Sequence, residues 1–175
     1  MRLTRGFFGV ALTVALLLVN SHLGFAQVNS QDCGKMTLKD LLAAPTAFKY
    51  EGAEMVLQAE ASVIFTVGKN VIQTFLVTPT IVEKHNRRVP ALVAPKFVWL
   101  VQKGKLLTMK DLRMANYQVD LPPYKKCIPA FLDPDVKPDL GKPLEVVLAI
   151  GTTSEEGLTF LKLSKPIQVK RELQY

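Results

Sequence analysis

A run of strict two-residue alternation stands out in the sequence between positions 53 and 67. Every odd-numbered position is apolar, whereas the even-numbered positions include Glu54, Gln58 and Glu60. Side chains alternate between the two faces of a β-strand, so eight consecutive matches predict one long strand with one buried face. Such a strand needs partners for its backbone, which indicates a mainly β fold. The apolar positions are Ala53, Met55, Leu57, Ala59, Ala61, Val63, Phe65 and Val67.

Four further segments have the composition of β-strands. The sequence VIQTFLVT at 71–78 follows a turn and predicts the hairpin partner of the long strand, with Pro79 as its end. The apolar run KFVWLVQ at 96–102 predicts a strand buried on both faces. The C-terminal sequences KPLEVVLAIGTT and LTFLKLSKPIQV, joined by SEEG, predict a hairpin whose second strand lies at an edge or stops at Pro166.

Two short helices are predicted from a shared motif. Thr37 and Asp40 form a capping-box pattern and Pro45 follows, which predicts a helix at 38–44. The sequence TMKDLRMA at 108–115 matches TLKDLLAA at 37–44 in five of eight positions. Because the segments that follow the two copies differ, we interpret the match as a second short helix with the same cap rather than as an internal repeat.

Two segments together resemble the oligonucleotide/oligosaccharide-binding fold of exported bacterial proteins. The first, DLLAAPTAFKYEGAEMVLQAEASVIF, combines a helix, a glycine-containing turn and a long first strand, and the second, GKPLEVVLAIGTTSEEGLTFLKLSKPIQV, is a closing hairpin. The resemblance implies a mainly β fold with two short helices, built as a small five-stranded OB-like β-barrel. A β-sandwich is the alternative. Between the two segments, the five prolines at 122–138 predict a loop.

The N-terminus has the parts of a secretory signal peptide. Arg2 and Arg5 precede an apolar run of 14 residues at 6–19, and Gly24 and Ala26 form a small-x-small ending. The run is shorter than the roughly 20 apolar residues of a membrane-spanning helix, and a retained signal anchor is the alternative. We predict a signal peptide at 1–26 and an exported protein, periplasmic or secreted, with a single β-rich domain at 27–175 and no stable membrane insertion after cleavage. Cleavage removes two arginines and lowers the formal net charge from +7 to +5.

The two cysteines of the chain, Cys33 and Cys127, predict one disulfide in an oxidising compartment. This bridge would tie the segment before the first helix to the proline-rich loop. Lipid attachment at Cys33 is disfavoured, because Asp32 stands where a lipoprotein signal has a small residue. A reactive thiol is the alternative, since Lys125 and Lys126 precede Cys127, but the chain has no C-x-x-C motif.

Patterns for catalysis or metal binding are sparse. After signal cleavage His85 is the remaining histidine, which leaves little material for a Ser-His-Asp triad or a His/Cys zinc site. Asp133, Asp135 and Asp139 lie close together in sequence, but Lys137 stands where a calcium-binding EF-hand loop needs an oxygen ligand. We therefore predict no catalytic residues, no metal and no cofactor.

Two basic loops are the candidate ligand-binding surface. The first carries Lys84, Arg87 and Arg88, and the second carries Tyr124, Lys125 and Lys126. In the barrel interpretation both lie at the mouth and bind an anionic or peptide ligand, with Trp99 and Tyr117 as contact area. The candidate ligand-binding residues are Lys84, Arg87, Arg88, Trp99, Tyr124, Lys125 and Lys126.

The sequence thus predicts an exported, non-enzymatic binding module for a protein, an envelope polymer or a small ligand. The alternative is an enzyme or redox protein that uses Cys127 or the strand carboxylates Glu54 and Glu60. A third, minor hypothesis is an anion or nucleic-acid binder, because the chain is basic. Nucleic acid is the least expected partner, since an exported protein rarely meets it.

Overall fold

The computed structural model describes residues 28–29, 36–66, 72–113, 122–128, 130–131, 136–152 and 157–174. Within these ranges the chain forms one short helix and twelve β-strands, so the fold is mainly β, as predicted. In chain order the elements are β1 (Val28–Asn29), α1 (Leu38–Ala43), β2 (Ala47–Tyr50), β3 (Ala53–Thr66), β4 (Ile72–Glu83), β5 (Ala94–Gln102), β6 (Lys105–Asp111), β7 (Lys125–Cys127), β8 (Ala130–Phe131), β9 (Pro143–Gly151), β10 (Gly157–Lys162), β11 (Ile167–Gln168) and β12 (Lys170–Gln174).

The strands form two six-stranded sheets. Sheet A has the order β1-β10-β9-β5-β6, with β11 also paired to β9, and sheet B has the order β12-β3-β4-β7, with β2 also paired to β3 and β8 to β4. Neighbouring strands run antiparallel, except that β12 runs parallel to β3. Closure of a barrel requires one continuous ladder around the fold. Between the two sheets the described residues form only an isolated bridge from Leu57 to Leu163, so the predicted barrel is wrong and the arrangement is more like the alternative, a β-sandwich.

The main core lies between the two sheets. The odd-numbered residues of β3 face inward, and Met55 and Val63 are fully buried there. Leu148 and Ile150 of β9 reach the same core from sheet A. The alternation in the sequence therefore identified the core face of the longest strand, as expected for a sheet with one buried side.

A second apolar cluster covers the outer face of sheet A. Phe97 and Trp99 of β5 face this cluster, whereas Val98 and Leu100 of the same strand face the core between the sheets. Residues of α1 cover the cluster from outside, which explains why β5 is apolar at consecutive positions. The cluster consists of Leu41, Ala44, Phe97, Trp99, Val147, Ala149, Leu158 and Phe160.

Strand β4 is longer than predicted, because Pro79 does not end it. The register pairs Ala59 with Pro79 and continues to Met55 opposite Glu83. The Pro79 carbonyl accepts a hydrogen bond from the Ile128 N–H at 3.1 Å, so the backbone polar side of this residue faces away from β3. The missing N–H of proline therefore costs no bond of the β3–β4 ladder, and the strand continues.

The first predicted helix is confirmed and the second is wrong. The Asp40 N–H donates to Thr37 Oγ1 at 3.2 Å and the Thr37 N–H donates to the Asp40 carboxylate at 3.1 Å, so α1 begins with a complete capping box. The second copy of the motif lies in β6 and the residues after it. Lys103 and Gly104 have φ angles of 53° and 66°, which is the left-handed pair of a two-residue hairpin turn. This turn directs the chain back along β5 as a strand.

The proline-rich segment at 122–138 is not only a loop. Its described part contains the short strands β7 and β8, which pair with two separate stretches of β4. Prolines confine such pairing to short pieces, because they lack the N–H that a longer ladder needs. The described strands of this segment therefore lie along the edge of sheet B, with β7 beside the end of β4.

Candidate functional site

Among the described residues, Glu83 is the one charged residue that is buried, and 0% of its surface is exposed. It lies at the end of β4 on the face that points into the sandwich. Its carboxylate accepts hydrogen bonds from the backbone N–H groups of Glu54 (3.2 Å), His85 (2.8 Å) and Arg87 (2.7 Å). The Arg87 side chain donates two more, from Nε at 3.1 Å and Nη2 at 2.8 Å, and also binds the Gly52 carbonyl at 2.8 Å.

These contacts hold Glu83 in its ionised form. Burial opposes ionisation, but the hydrogen bonds from the Arg87 side chain and from the backbone of Arg87, His85 and Glu54 outweigh it and lower the pKa of Glu83 from 4.5 to about 2. Removing one partner of a buried charge pair leaves an uncompensated charge, which is strongly unfavourable. Glu83 and Arg87 therefore act as a single structural unit that fixes the chain after β4.

The two predicted basic loops lie side by side at this end of the sandwich. The Glu83 N–H donates to the Tyr124 carbonyl at 2.9 Å, and the Val89 N–H donates to the Pro123 carbonyl at 2.9 Å. The loop at 84–93 between β4 and β5 is thereby fixed against the segment that leads into β7. The three basic residues of the first loop and the three predicted residues of the second thus share one end of the fold.

Several cations at this end are already paired with carboxylates. Lys84 Nζ lies 2.8 Å from Glu54 Oε1, and Lys49 Nζ lies 4.0 Å from Glu54 Oε2. The hydrogen bond from Lys84 is the main reason that the pKa of Glu54 is lowered. Arg87 is paired with Glu83 at 2.8 Å. These three side chains are therefore partly neutralised by the protein itself.

The two lysines of β7 have different surroundings. Lys126 Nζ donates to the carbonyl oxygens of Val93 at 2.6 Å and Ala91 at 3.4 Å, and burial lowers the pKa of its ammonium group. Lys125 Nζ lies 5.6 Å from the centre of the Tyr124 ring, a cation–π distance. Lys126 therefore supports the loop from inside, whereas Lys125 lies at the outer face of sheet B.

An open groove of about 490 Å³ runs beside the fixed loop, and we call it the Arg88 groove. The Arg88 side chain is exposed and makes no hydrogen bond or ion pair with any residue that the structure describes. A planar guanidinium in this state is suited to bind carboxylate or phosphate oxygens in a bidentate manner. The residues that line the groove are Glu51, Ala53, Arg87, Arg88, Val89, Pro90 and Ala91.

Trp99 does not belong to this surface, so its predicted role in ligand contact is wrong. The side chain is 2% exposed and lies in the cluster under α1. Its ring centre is 5.9 Å from that of Phe97 and 5.5 Å from that of Phe160. Because β5 is covered on both faces, an aromatic side chain on it packs inside whichever way it points. Tyr117 lies outside the described residues.

Cys127 lies on the outer face of sheet B, opposite Thr80 in the register. It is 6% exposed and lines a groove of about 450 Å³ with polar neighbours that include Glu60. Cys33 lies outside the described residues, so the disulfide stays a prediction.

The remaining acidic candidates lie in different surroundings. Glu54 is ion-paired near the loop end, whereas Glu60 is exposed on the outer face of sheet B. Asp139 pairs with the lysine of the β5–β6 turn, which lowers its pKa, while Asp133 and Asp135 lie outside the described residues. Within the described ranges, no group of three or more His, Cys, Asp or Glu side chains is arranged to hold a metal ion.

Sequence reasoning missed Glu83, the residue that organises the site. The sequence contained a signal for it, because the inward positions of β4 continue the alternation through Val77 and Ile81 to Glu83. An acid at a core-facing position needs a buried partner, and Arg87 follows four residues later. The assignment of Arg87 to a basic ligand-binding loop did not consider Glu83 as its partner.

Comparison of the chain with protein-family models, with curated proteins and with solved structures finds no match. Among the described residues no helix has the length and hydropathy needed to cross a membrane. The function is therefore inferred from the residues of the chain itself.

Proposed function

We propose that this protein is an exported, non-enzymatic binding domain that captures an anionic group in the Arg88 groove. The observation that carries the proposal is the guanidinium of Arg88 on the wall of an open groove, where it has no partner among the residues that the structure describes. Export is inferred from the predicted signal peptide at 1–26. The predicted Cys33–Cys127 disulfide agrees with an oxidising compartment.

The support for a binding role comes from the rigidity of the loop that carries Arg88. The pair formed by the buried Glu83 and the half-exposed Arg87 fixes one side of this loop, and Lys126 holds the carbonyls of Ala91 and Val93 on the other. A loop that is already ordered loses little conformational freedom when a ligand binds, which favours affinity. The groove volume of about 490 Å³ lies in the ordinary range of ligand sites.

A titration by nuclear magnetic resonance tests the proposal directly. The full chain, expressed in a secreting bacterial host, is labelled with ¹⁵N and titrated with N-acetylglutamate α-methylamide, which carries one carboxylate, and with inorganic phosphate. We expect amide shifts confined to Ala53 and to residues 87–91 other than Pro90, which has no N–H, and loss of these shifts in Arg88→Gln. The matched control is Lys105→Gln, an exposed cation on β6 at the edge of the other sheet. Shifts that are spread over the surface, or that persist in Arg88→Gln, contradict the proposal.

A further inference from the structure

We infer, resting on the proposed function, that the ligand of the Arg88 groove is an extended segment of a partner protein that presents one carboxylate beside small apolar side chains. The inference separates such a segment from a polyanion such as a nucleic acid or a polyphosphate. Both classes carry negative charge, so the basic composition of the chain does not distinguish them. The distribution of paired and unpaired charges around the groove distinguishes the two classes.

Among the described residues, the charges at this end of the fold leave one cation on the groove wall without a partner. Lys84 is hydrogen-bonded to Glu54, Lys49 lies 4.0 Å from the same carboxylate, and the buried Glu83 holds Arg87. Of the two lysines of β7, Lys126 points to backbone carbonyls and Lys125 to the outer face of sheet B. Arg88 is thus the cation that the described residues offer to a ligand in the groove.

A polyanion fits this arrangement poorly. Binding of nucleic acid depends on several Lys or Arg contacts that release counterions from successive phosphates. Here Glu51, an exposed carboxylate, lines the groove together with Arg88, and Glu54 lies beside it. A second or third negative group of the ligand therefore meets like charge rather than another cation. A ligand with a single carboxylate meets Arg88 and avoids this repulsion.

The rest of the groove surface consists of Arg87 and four small apolar residues. Pro90 and Ala91 line it from the loop, whereas Ala53 and Val89, which are 5% and 6% exposed, contribute only a small area. Leu92, which is 56% exposed, follows directly in the chain. Exposed walls of this kind contact short aliphatic side chains. The combination of one guanidinium with apolar walls therefore selects an acidic residue flanked by small apolar residues.

Fluorescence anisotropy with three labelled probes tests the ligand class. The probes are a peptide pool with a central Glu and four random Ala, Val or Pro residues on each side, the same pool with a central Gln, and a 15-nucleotide oligothymidylate. We expect the Glu pool to bind about tenfold more tightly than the Gln pool, since a charge-assisted hydrogen bond is lost in the second. Arg88→Gln should abolish this difference, and Lys105→Gln should leave it unchanged.

The dependence on salt gives an independent readout. For one ion pair with a peptide carboxylate, which is only screened by salt, we expect a weak loss of affinity between 50 and 200 mM NaCl, whereas four phosphate contacts on a single strand give a loss of roughly fiftyfold. Arg88-dependent binding of oligothymidylate with the steeper dependence overturns the inference and leaves the proposed function standing. The inference is likewise overturned, and the proposed function kept, when N-acetylglutamate α-methylamide shifts the groove amides but the Glu pool binds no better than the Gln pool. Failure of every probe, N-acetylglutamate α-methylamide and phosphate included, overturns the proposed function itself.

Discussion

Replacing Trp99 with alanine removes the largest fully buried side chain in the described part of the chain. A tryptophan buries about 150–250 Å², which corresponds to about 4–6 kcal/mol at 25 cal/mol per Å². Alanine retains part of this burial, and measured losses for Trp→Ala in cores are about 3–5 kcal/mol. Because the ring packs against Phe97 and Phe160 on one side and under α1 on the other, neighbours cannot easily fill the cavity. We therefore expect a loss of about 3–5 kcal/mol.

The free energy of unfolding is measured by urea denaturation followed by far-ultraviolet circular dichroism. Circular dichroism is needed because Trp99 is the single tryptophan of the chain, so the variant has no tryptophan fluorescence. For a domain of this size the loss corresponds to a fall in Tm of roughly 6–20 °C. The matched control is Leu106→Ala, a side chain that is 50% exposed on β6, with an expected change within about 0.5 kcal/mol.

A loss below about 1 kcal/mol for Trp99→Ala, similar to that of the control, would refute the assignment of Trp99 to a packed core. Trp99→Phe separates packing from ligand contact, because it keeps an aromatic ring in the cluster. We expect Trp99→Phe to bind the Glu peptide pool as tightly as the unchanged protein. A selective loss of binding with stability retained would return Trp99 to the ligand surface.

Three further predictions concern stability and covalent state. Because the pKa of Glu83 is lowered from 4.5 to about 2 in the folded protein, its stabilising effect is complete above pH 4.5 and is lost as the pH falls toward 2. Tm measured across this acidic range should therefore fall less steeply in Glu83→Gln, and parallel curves would exclude this linkage. Thr37→Ala removes the side chain that caps α1 and should lower the free energy of unfolding, measured by urea denaturation, by about 1 kcal/mol. Thr37→Ser keeps the capping hydroxyl and should retain most of that stability. Equal losses in the two variants would show that the cap does not matter. Intact-mass analysis with alkylation before and after reduction should show uptake at Cys33 and Cys127 only after reduction, and uptake without reduction would revive the reactive-thiol hypothesis.

Much of the local structure followed from the sequence because its causes are local. The two-residue alternation predicted β3 and its buried face, and the Thr37–Asp40 capping box predicted α1. The same motif at 108–112 predicted a helix that does not form. There the turn at Lys103 and Gly104 pairs the segment with β5, and the hydrogen bonds of that hairpin outweigh the local preference for a helix.

The candidate site was predicted only in part. The two basic loops do share one end of the fold, but whether a given cation is available to a ligand depends on its neighbours in space. Arg87 forms an ion pair with Glu83, and Lys84 forms one with Glu54, a residue 30 positions away in the chain. Arg88 beside them has no partner among the described residues, and in the sequence only the four-residue spacing from Glu83 to Arg87 separates the two arginines.

The sequence by itself determined that this is a mainly β chain, where its longest strand and its helix lie, and which face of that strand is buried, because these depend on side-chain periodicity and on contacts a few residues apart. The tertiary structure alone decided between sandwich and barrel, buried Trp99, and paired one of the two groove-lining arginines, Arg87, with Glu83. Those outcomes depend on contacts between segments that are distant in the chain. For the charged residues the reason is that a buried charge without a partner is costly, so a buried carboxylate binds the cation that the fold places beside it.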